Sequence, residues 1–158
     1  MLAALIFLSD FPLLRALLTA AAIHELGHVL ALYLCGAEVV QLRVELCGLC
    51  LVSTSLSSSR EEALCALAGP LAGLLWAVAS AAHWPICAGF SLLLSLYNLL
   101  PALPLDGGRA LMYLTGNRRL LQAGGTLSAS ALLALALWAP LPLLLIPAFR
   151  LWLEAIRA

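Results

Sequence analysis

The sequence predicts an all-α polytopic membrane protein with about five transmembrane helices, a short β segment at about 38–54, and a broken helix or loop at 98–108. Three observations carry this. Apolar residues make up 64% of the 158-residue chain and charged residues only 10%, against roughly 45–50% and about 25% in ordinary globular proteins. Five apolar runs approach the ~20 residues a helix needs to cross ~30 Å of hydrocarbon. The connections between those runs alternate between arginine-bearing and arginine-free. A soluble domain of this size buries only about two-thirds of the surface its unfolded chain exposes, so lipid has to be the solvent for much of the chain.

The elements follow in order. No cleavable signal peptide is expected: the run from Leu2 to Leu8 lacks a basic start and continues into Ser9-Asp10-Phe11-Pro12. The first span is expected over 11–35, with Pro12 where a helix start tolerates it. Over 38–54, Gln41, Arg43 and Glu45 alternate with Leu42, Val44 and Leu46. That period of two predicts one or two short strands, followed by a polar loop at 53–59. The second span, 62–83, opens after Ser59-Arg60-Glu61-Glu62, a Ser-x-x-Glu capping box. The third covers 85–103, and Pro101, Pro104, Gly107 and Gly108 permit a broken backbone at its end. The fourth (120–138) and fifth (141–152) are separated only by Ala139-Pro140, which predicts a tight helical hairpin. No internal repeat is evident, and a single domain, 1–158, is expected.

With the first helix entering from outside, one side of the bilayer receives Arg43, Arg60, Arg109, Arg118, Arg119, Arg150 and Arg157, and the other only Arg15. The positive-inside rule then places the longer loops and the C-terminus in the cytosol. Formal net charge is zero, which removes the electrostatic case for nucleic acid. The cysteines at 35, 47, 50, 65 and 87 lie mostly in or beside apolar runs, where a thiol acts as a small hydrophobe. Cys47-Gly-Leu-Cys50 has the spacing of half a zinc knuckle or of a redox pair, but no second half follows.

The chemistry is concentrated in His24-Glu25-Leu26-Gly27-His28. Histidines at i and i+4 share a helix face and can reach one metal ion. Zinc lowers the pKa of its water from about 15.7 to about 7, and Glu25 is placed to act as general base and then as acid for the leaving amine. An unpaired carboxylate in a lipid-embedded helix costs on the order of 3 kcal/mol or more, so this polar cluster needs a compensating partner, and a metal provides one. Catalytic zinc takes three protein ligands and keeps a fourth position for water. Asp106, at the cytosolic end of the third run, is the acidic candidate for the third. His83 falls at the opposite membrane face beside Trp84 and reads as interfacial.

His24-Glu25-Leu26-Gly27-His28 together with Asn98-Leu-Leu-Pro101-Ala-Leu-Pro104-Leu-Asp106-Gly107 resembles the site-2 protease family of intramembrane metalloproteases, whose HExxH and NxxPxxxxDG signatures are both complete here. Ala68-Gly69-Pro70-Leu71-Ala72 resembles a further family element, although many members carry Asn where this chain has Gly73. The resemblance covers a core at 11–116 and leaves 117–158 as an accessory helical hairpin. It implies that His24, His28 and Asp106 ligate Zn2+, that Glu25 is the catalytic base, and that Asn98 steadies substrate backbone or the oxyanion. Taken alone, Asn98 is equally a helix-packing amide. The resemblance also implies that the 38–54 segment is a membrane-associated sheet able to hold an unwound substrate by strand addition.

The expected activity is therefore hydrolysis of peptide bonds in or near the transmembrane segment of a membrane-tethered protein, as in regulated intramembrane proteolysis. The expected setting is the lipid bilayer of a bacterial cell membrane, with the active-site side cytosolic and a regulatory membrane protein as a further partner. The chain's compactness resembles the bacterial branch that includes the stage IV sporulation protease, which releases a transcription factor from a membrane-bound precursor. No appended sensing domain is expected after residue 116. A non-catalytic zinc-binding scaffold would keep His24, His28 and Asp106 but has no need of Glu25. A transporter is disfavoured by the single polar cluster and lack of repeats, and a histidine-rich di-iron oxygenase by the count of three histidines.

Overall fold

A computed structural model describes residues 11–37, 39–45, 48–53, 58–138 and 145–157. Among them lie helix α1 (Phe11–Leu34), strands β1 (Val39–Glu45) and β2 (Gly48–Ser53), and helices α2 (Ser59–Ser80), α3 (Pro85–Asn98), α4 (Asp106–Thr115), α5 (Arg118–Trp138) and α6 (Leu145–Arg157). α1 packs on α2 and α3, α2 also packs on α3 and α4, and α5 pairs with α6.

Local chemistry sets the boundaries. α1 closes where Gly36 adopts a left-handed φ of 71°. There the Gly36 N–H donates to Tyr33 O (3.1 Å) and the Ala37 N–H to Leu32 O (3.0 Å), satisfying end carbonyls as left-handed glycine caps do. α2 does begin with a capping box, but one residue earlier than Ser59 and Glu62. The Ser58 hydroxyl accepts from the Glu61 N–H (3.2 Å), and the Glu61 carboxylate accepts from the Ser58 N–H (3.1 Å). Ser58 is the extended residue (φ −145°, ψ 149°), and its carbonyl already receives the Glu62 N–H at 3.1 Å, so the cap belongs to it.

The third apolar run stays helical only to Asn98, because Pro101 removes a donor and disfavours helical backbone just before it. Residues 99–105 are irregular, with a cis Leu103–Pro104 bond, and α4 then forms between the expected third and fourth spans, where the sequence predicts no helix. The last two helices occupy 118–138 and 145–157, and the Ala139-Pro140 connection lies outside the described residues.

β1 and β2 pair antiparallel, with Leu42 opposite Leu51 and Val44 opposite Leu49. The alternating segment therefore folds as a two-stranded antiparallel pair, and among the described residues one edge of each strand is unpaired.

α1 and α2 are each long and apolar enough to cross a membrane, and α3 is apolar but only 14 residues long. Their outward faces expose Leu18, Leu26 and Leu30 on α1, Leu71, Leu75 and Val78 on α2, and Leu93 on α3. A surface this apolar fits lipid rather than water. Inside, Ala16, Ala20 and Cys87 pack with Trp76, Trp84 and Phe90 at one end of the α1–α3 core. There the Arg15 guanidinium lies over the Trp84 ring at 5.6 Å. A second cluster joins Ala102 and Leu105 of the irregular segment to Ala129 of α5 and Leu151 of α6.

Candidate metal centre

His24 and His28 stand one turn apart on α1, their rings edge to face with centroids 5.0 Å apart. The fold brings Asp106, the first residue of α4, against both of them across 82 residues of sequence. His24 Nε2 lies 3.1 Å from Asp106 Oδ2, His28 Nε2 lies 3.3 Å from the same oxygen, and the two Nε2 atoms are 3.3 Å apart. His24 and Asp106 are buried and His28 is half-buried.

One ring of this triangle has its proton fixed from outside. His28 Nδ1 sits 2.8 Å from the Cys65 carbonyl oxygen, which can only accept, so Nδ1 carries the proton. In the neutral ring Nε2 is then left with a lone pair that points at a carboxylate oxygen and at another imidazole nitrogen. With His24 Nε2 also unprotonated, three lone-pair donors face one another at 3.1–3.3 Å, an arrangement that a cation at their centre satisfies. The spacing suits a tetrahedral transition metal: ligand bonds of about 2.0–2.1 Å give tetrahedral edges of roughly 3.3 Å. The donor set of two imidazoles and one carboxylate matches an open catalytic site. These are the three residues among those described whose ligand atoms cluster closely enough to hold a metal.

The surroundings fix this geometry. The Cys65 carbonyl orients His28, the outer-shell contact that metal-binding histidines require. Gly69, one turn further along α2, faces the His28 ring so closely that any Cβ would overlap it. Arg109 Nη1 stands 4.0 Å from Asp106 Oδ1, leaving Oδ2 to the histidines. Glu25 follows His24 directly and is half-buried.

The remaining candidates fall as follows. Asn98 is the last residue of α3, and its amide donates to Leu94 O at 3.0 Å, the helix-packing use of that side chain. His83 is exposed in the turn before α3 and takes no part in the cluster. Cys47 lies outside the described residues, while Cys50 is on β2. At Gly73 the space an Asn would fill is taken by Ser95 of α3, whose hydroxyl presses against the glycine. Ser91 and Ser95 are fully buried, and their hydroxyls find no partner among the described residues; His24 Nδ1 is likewise unpartnered. The sequence carried no sign of the Cys65 carbonyl, because a backbone contact is independent of side-chain identity. The Ala-Gly-Pro-Leu-Ala element includes Gly69, but nothing in the sequence assigns that glycine a role.

No protein-family model matches the chain, and no curated protein sequence does. Among solved structures, the Site-2 Protease from Methanocaldococcus jannaschii superposes with a TM-score of 0.71 at 20% sequence identity, over 94% of this chain and 79% of that one. The likeness is one of fold, and it extends over nearly the whole chain.

Proposed function

We propose that the chain is a zinc-dependent intramembrane protease of the site-2 protease type. It hydrolyses peptide bonds in or near the transmembrane segment of a membrane-tethered protein. The observation that carries this is the close cluster of His24, His28 and Asp106 ligand atoms with Glu25 next to His24 on the same helix, set in a fold shared with a site-2 protease.

His24, His28 and Asp106 are the residues that would hold zinc. When bound there, zinc makes water acidic enough to ionise near neutral pH and polarises the scissile carbonyl. Glu25 accepts a proton from the attacking water and returns it to the leaving amine, so the carboxylate is regenerated in each cycle. Asn98 donates one amide hydrogen to Leu94 O, and its second would serve substrate backbone or the oxyanion. A scaffold that only stored metal would have no use for a carboxylate at position 25.

A transmembrane helix hides its carbonyls, so the substrate must be locally unwound. The β1–β2 hairpin offers open edges to which an extended segment can add as a further strand. Glycine or other weak helix formers near the cut site would lower the cost of unwinding by up to about 1 kcal/mol each. The arginine distribution supports a cytosolic active-site side; the setting proposed is a bacterial cell membrane, where the released product would be a soluble fragment.

The test is to purify the chain in detergent beside Glu25→Gln and Asp106→Ala, then measure bound zinc and cleavage of membrane-tethered candidate substrates. About one zinc per chain in the wild type and in Glu25→Gln, less in Asp106→Ala, with cleavage by the wild type alone, is the expected outcome. Equal zinc in all three would remove Asp106 from the ligand set. Cleavage that persists in Glu25→Gln would sink the mechanism.

A further inference from the structure

Two cysteines that the proposed chemistry does not use lie directly behind the metal centre. Cys35 follows the last residue of α1, where its N–H still donates to Ala31 O at 3.0 Å and Gly36 closes the helix. Cys65 is on α2 and is the residue whose carbonyl holds His28. Their Sγ atoms are 3.8 Å apart, both thiols are free, Cys35 is exposed and Cys65 is buried beneath it.

We propose that Cys35 and Cys65 form a reversible redox site, closing to a disulfide that ties the end of α1 to α2 at the turn supporting His28. Four features carry this. The sulfurs are in van der Waals contact, so closure to the ~2.05 Å of an S–S bond needs a shift of less than 2 Å. One thiol is open to reagent, and the other is shielded and next to it. This is the arrangement of an attacked and a resolving cysteine. The pair lies 30 residues apart in sequence and joins two helices rather than one element, so closure constrains α1 against α2. Cys35 sits in the closing turn of α1 beside the Gly36 cap and Cys65 lies within α2, so the two sulfurs are held near each other instead of meeting by chance.

The step balances with a peroxide as oxidant. The Cys35 thiolate attacks one peroxide oxygen, giving a sulfenic acid and water. The Cys65 thiol then attacks that sulfur, forming the disulfide and a second water, so two thiols lose two electrons and two protons in all. A dithiol reductant reverses it by exchange. On the orientation proposed above, this end of the bundle faces the cytosol, where disulfides are transient and redox-sensing rather than permanent. The site does not depend on whether the chain cleaves peptides.

The experiment is differential alkylation of the purified full chain in detergent. One sample is treated with dilute hydrogen peroxide and one is left reduced. Free thiols are blocked with one reagent, disulfides are reduced, and the released thiols are labelled with a second. Peptide mapping should find the second label on both Cys35 and Cys65 after peroxide, with two fewer free thiols per chain. Dithiothreitol should restore both. In Cys35→Ser, an exposed position whose change does not threaten the fold, Cys65 should return to the first label. Cys35 and Cys65 both retaining the first label after peroxide would overturn the proposal. So would Cys35 pairing with Cys47 or Cys50 instead of Cys65.

Discussion

Gly69→Ala tests whether the metal centre depends on the contact between α1 and α2. A Cβ at position 69 would stand 2.6 Å from both Cδ2 and Cε1 of His28, and closer still to Nε2. Ordinary contact between such atoms is about 3.5 Å, so the ring, or the whole of α1, must retreat by roughly 1 Å. Metal sites hold their ligands to about 0.2 Å, so the retreat is several times what coordination tolerates. It also draws Nδ1 away from the Cys65 carbonyl, now at 2.8 Å. Loss of such an orienting contact costs about 10–100-fold in affinity, and a 1 Å misplacement costs about 100-fold in rate. We therefore expect zinc affinity to fall by about 100-fold, close to 2.7 kcal/mol at 1.36 kcal/mol per decade, with helicity retained. Gly89→Ala on α3 is the matched control, since a Cβ there meets nothing within 4 Å. It should leave zinc binding unchanged and stabilise the chain by up to about 1 kcal/mol. Zinc titration against a competing chelator, with circular dichroism on the same samples, reads both. A Gly69→Ala chain that binds zinc as tightly as wild type would refute the account of how His28 is held.

Four further outcomes are expected. Glu25→Gln should keep its zinc and lose cleavage by at least about 100-fold, within the usual 10²–10⁴ range for a proton-transfer group, as read in a single-turnover assay with a tethered substrate. Asp106→Ala removes one of three ligands and should drop bound zinc well below one per chain, as measured by metal analysis after gel filtration. Leu151→Ala empties a 1% exposed site beside Ala102 and Leu105 and should cost about 2–5 kcal/mol. A lowered thermal midpoint in detergent checks this. Ser58→Ala removes the hydroxyl that caps α2 and should cost about 1 kcal/mol, with no change in zinc content.

What could be read from the sequence was what periodicity and side-chain chemistry encode. The apolar runs became helices close to their expected places, the alternating run at 39–53 became a hairpin, and His24, His28 and Asp106 meet as their types and motifs imply. What could not be read depended on backbone. α4 was missed because Gly107 and Gly108 look like helix breakers. In the fold its first turn lies against the backbone of residues 99–103, where those glycines admit a close approach. The capping box was placed one residue late because Ser58, Ser59, Glu61 and Glu62 offer two overlapping patterns. Only the extended backbone at Ser58 decides between them. Asn98 could not be assigned from its type, and in the fold it bonds within its own helix.

The C-terminal pair of helices has a physical task that follows from the site itself. Asp106 must reach two histidines on a spanning helix, and it does so from a chain that leaves helical geometry at Asn98 and recovers it only at position 106. Irregular backbone cannot face lipid, because each unpaired N–H or C=O there costs several kcal/mol. Part of that demand is met inside the segment, where the Ala102 N–H donates to Leu100 O and the Leu105 N–H to Ala102 O. The rest has to be met by cover. α5 and α6 supply it: Ala129 and Leu151 close over Ala102 and Leu105, and Gly124 of α5 meets the Pro101 carbonyl. The helices at 118–138 and 145–157 are thus the wall that covers the non-helical segment leading to Asp106. Any role they have in admitting substrate must be compatible with keeping that wall closed over residues 99–105.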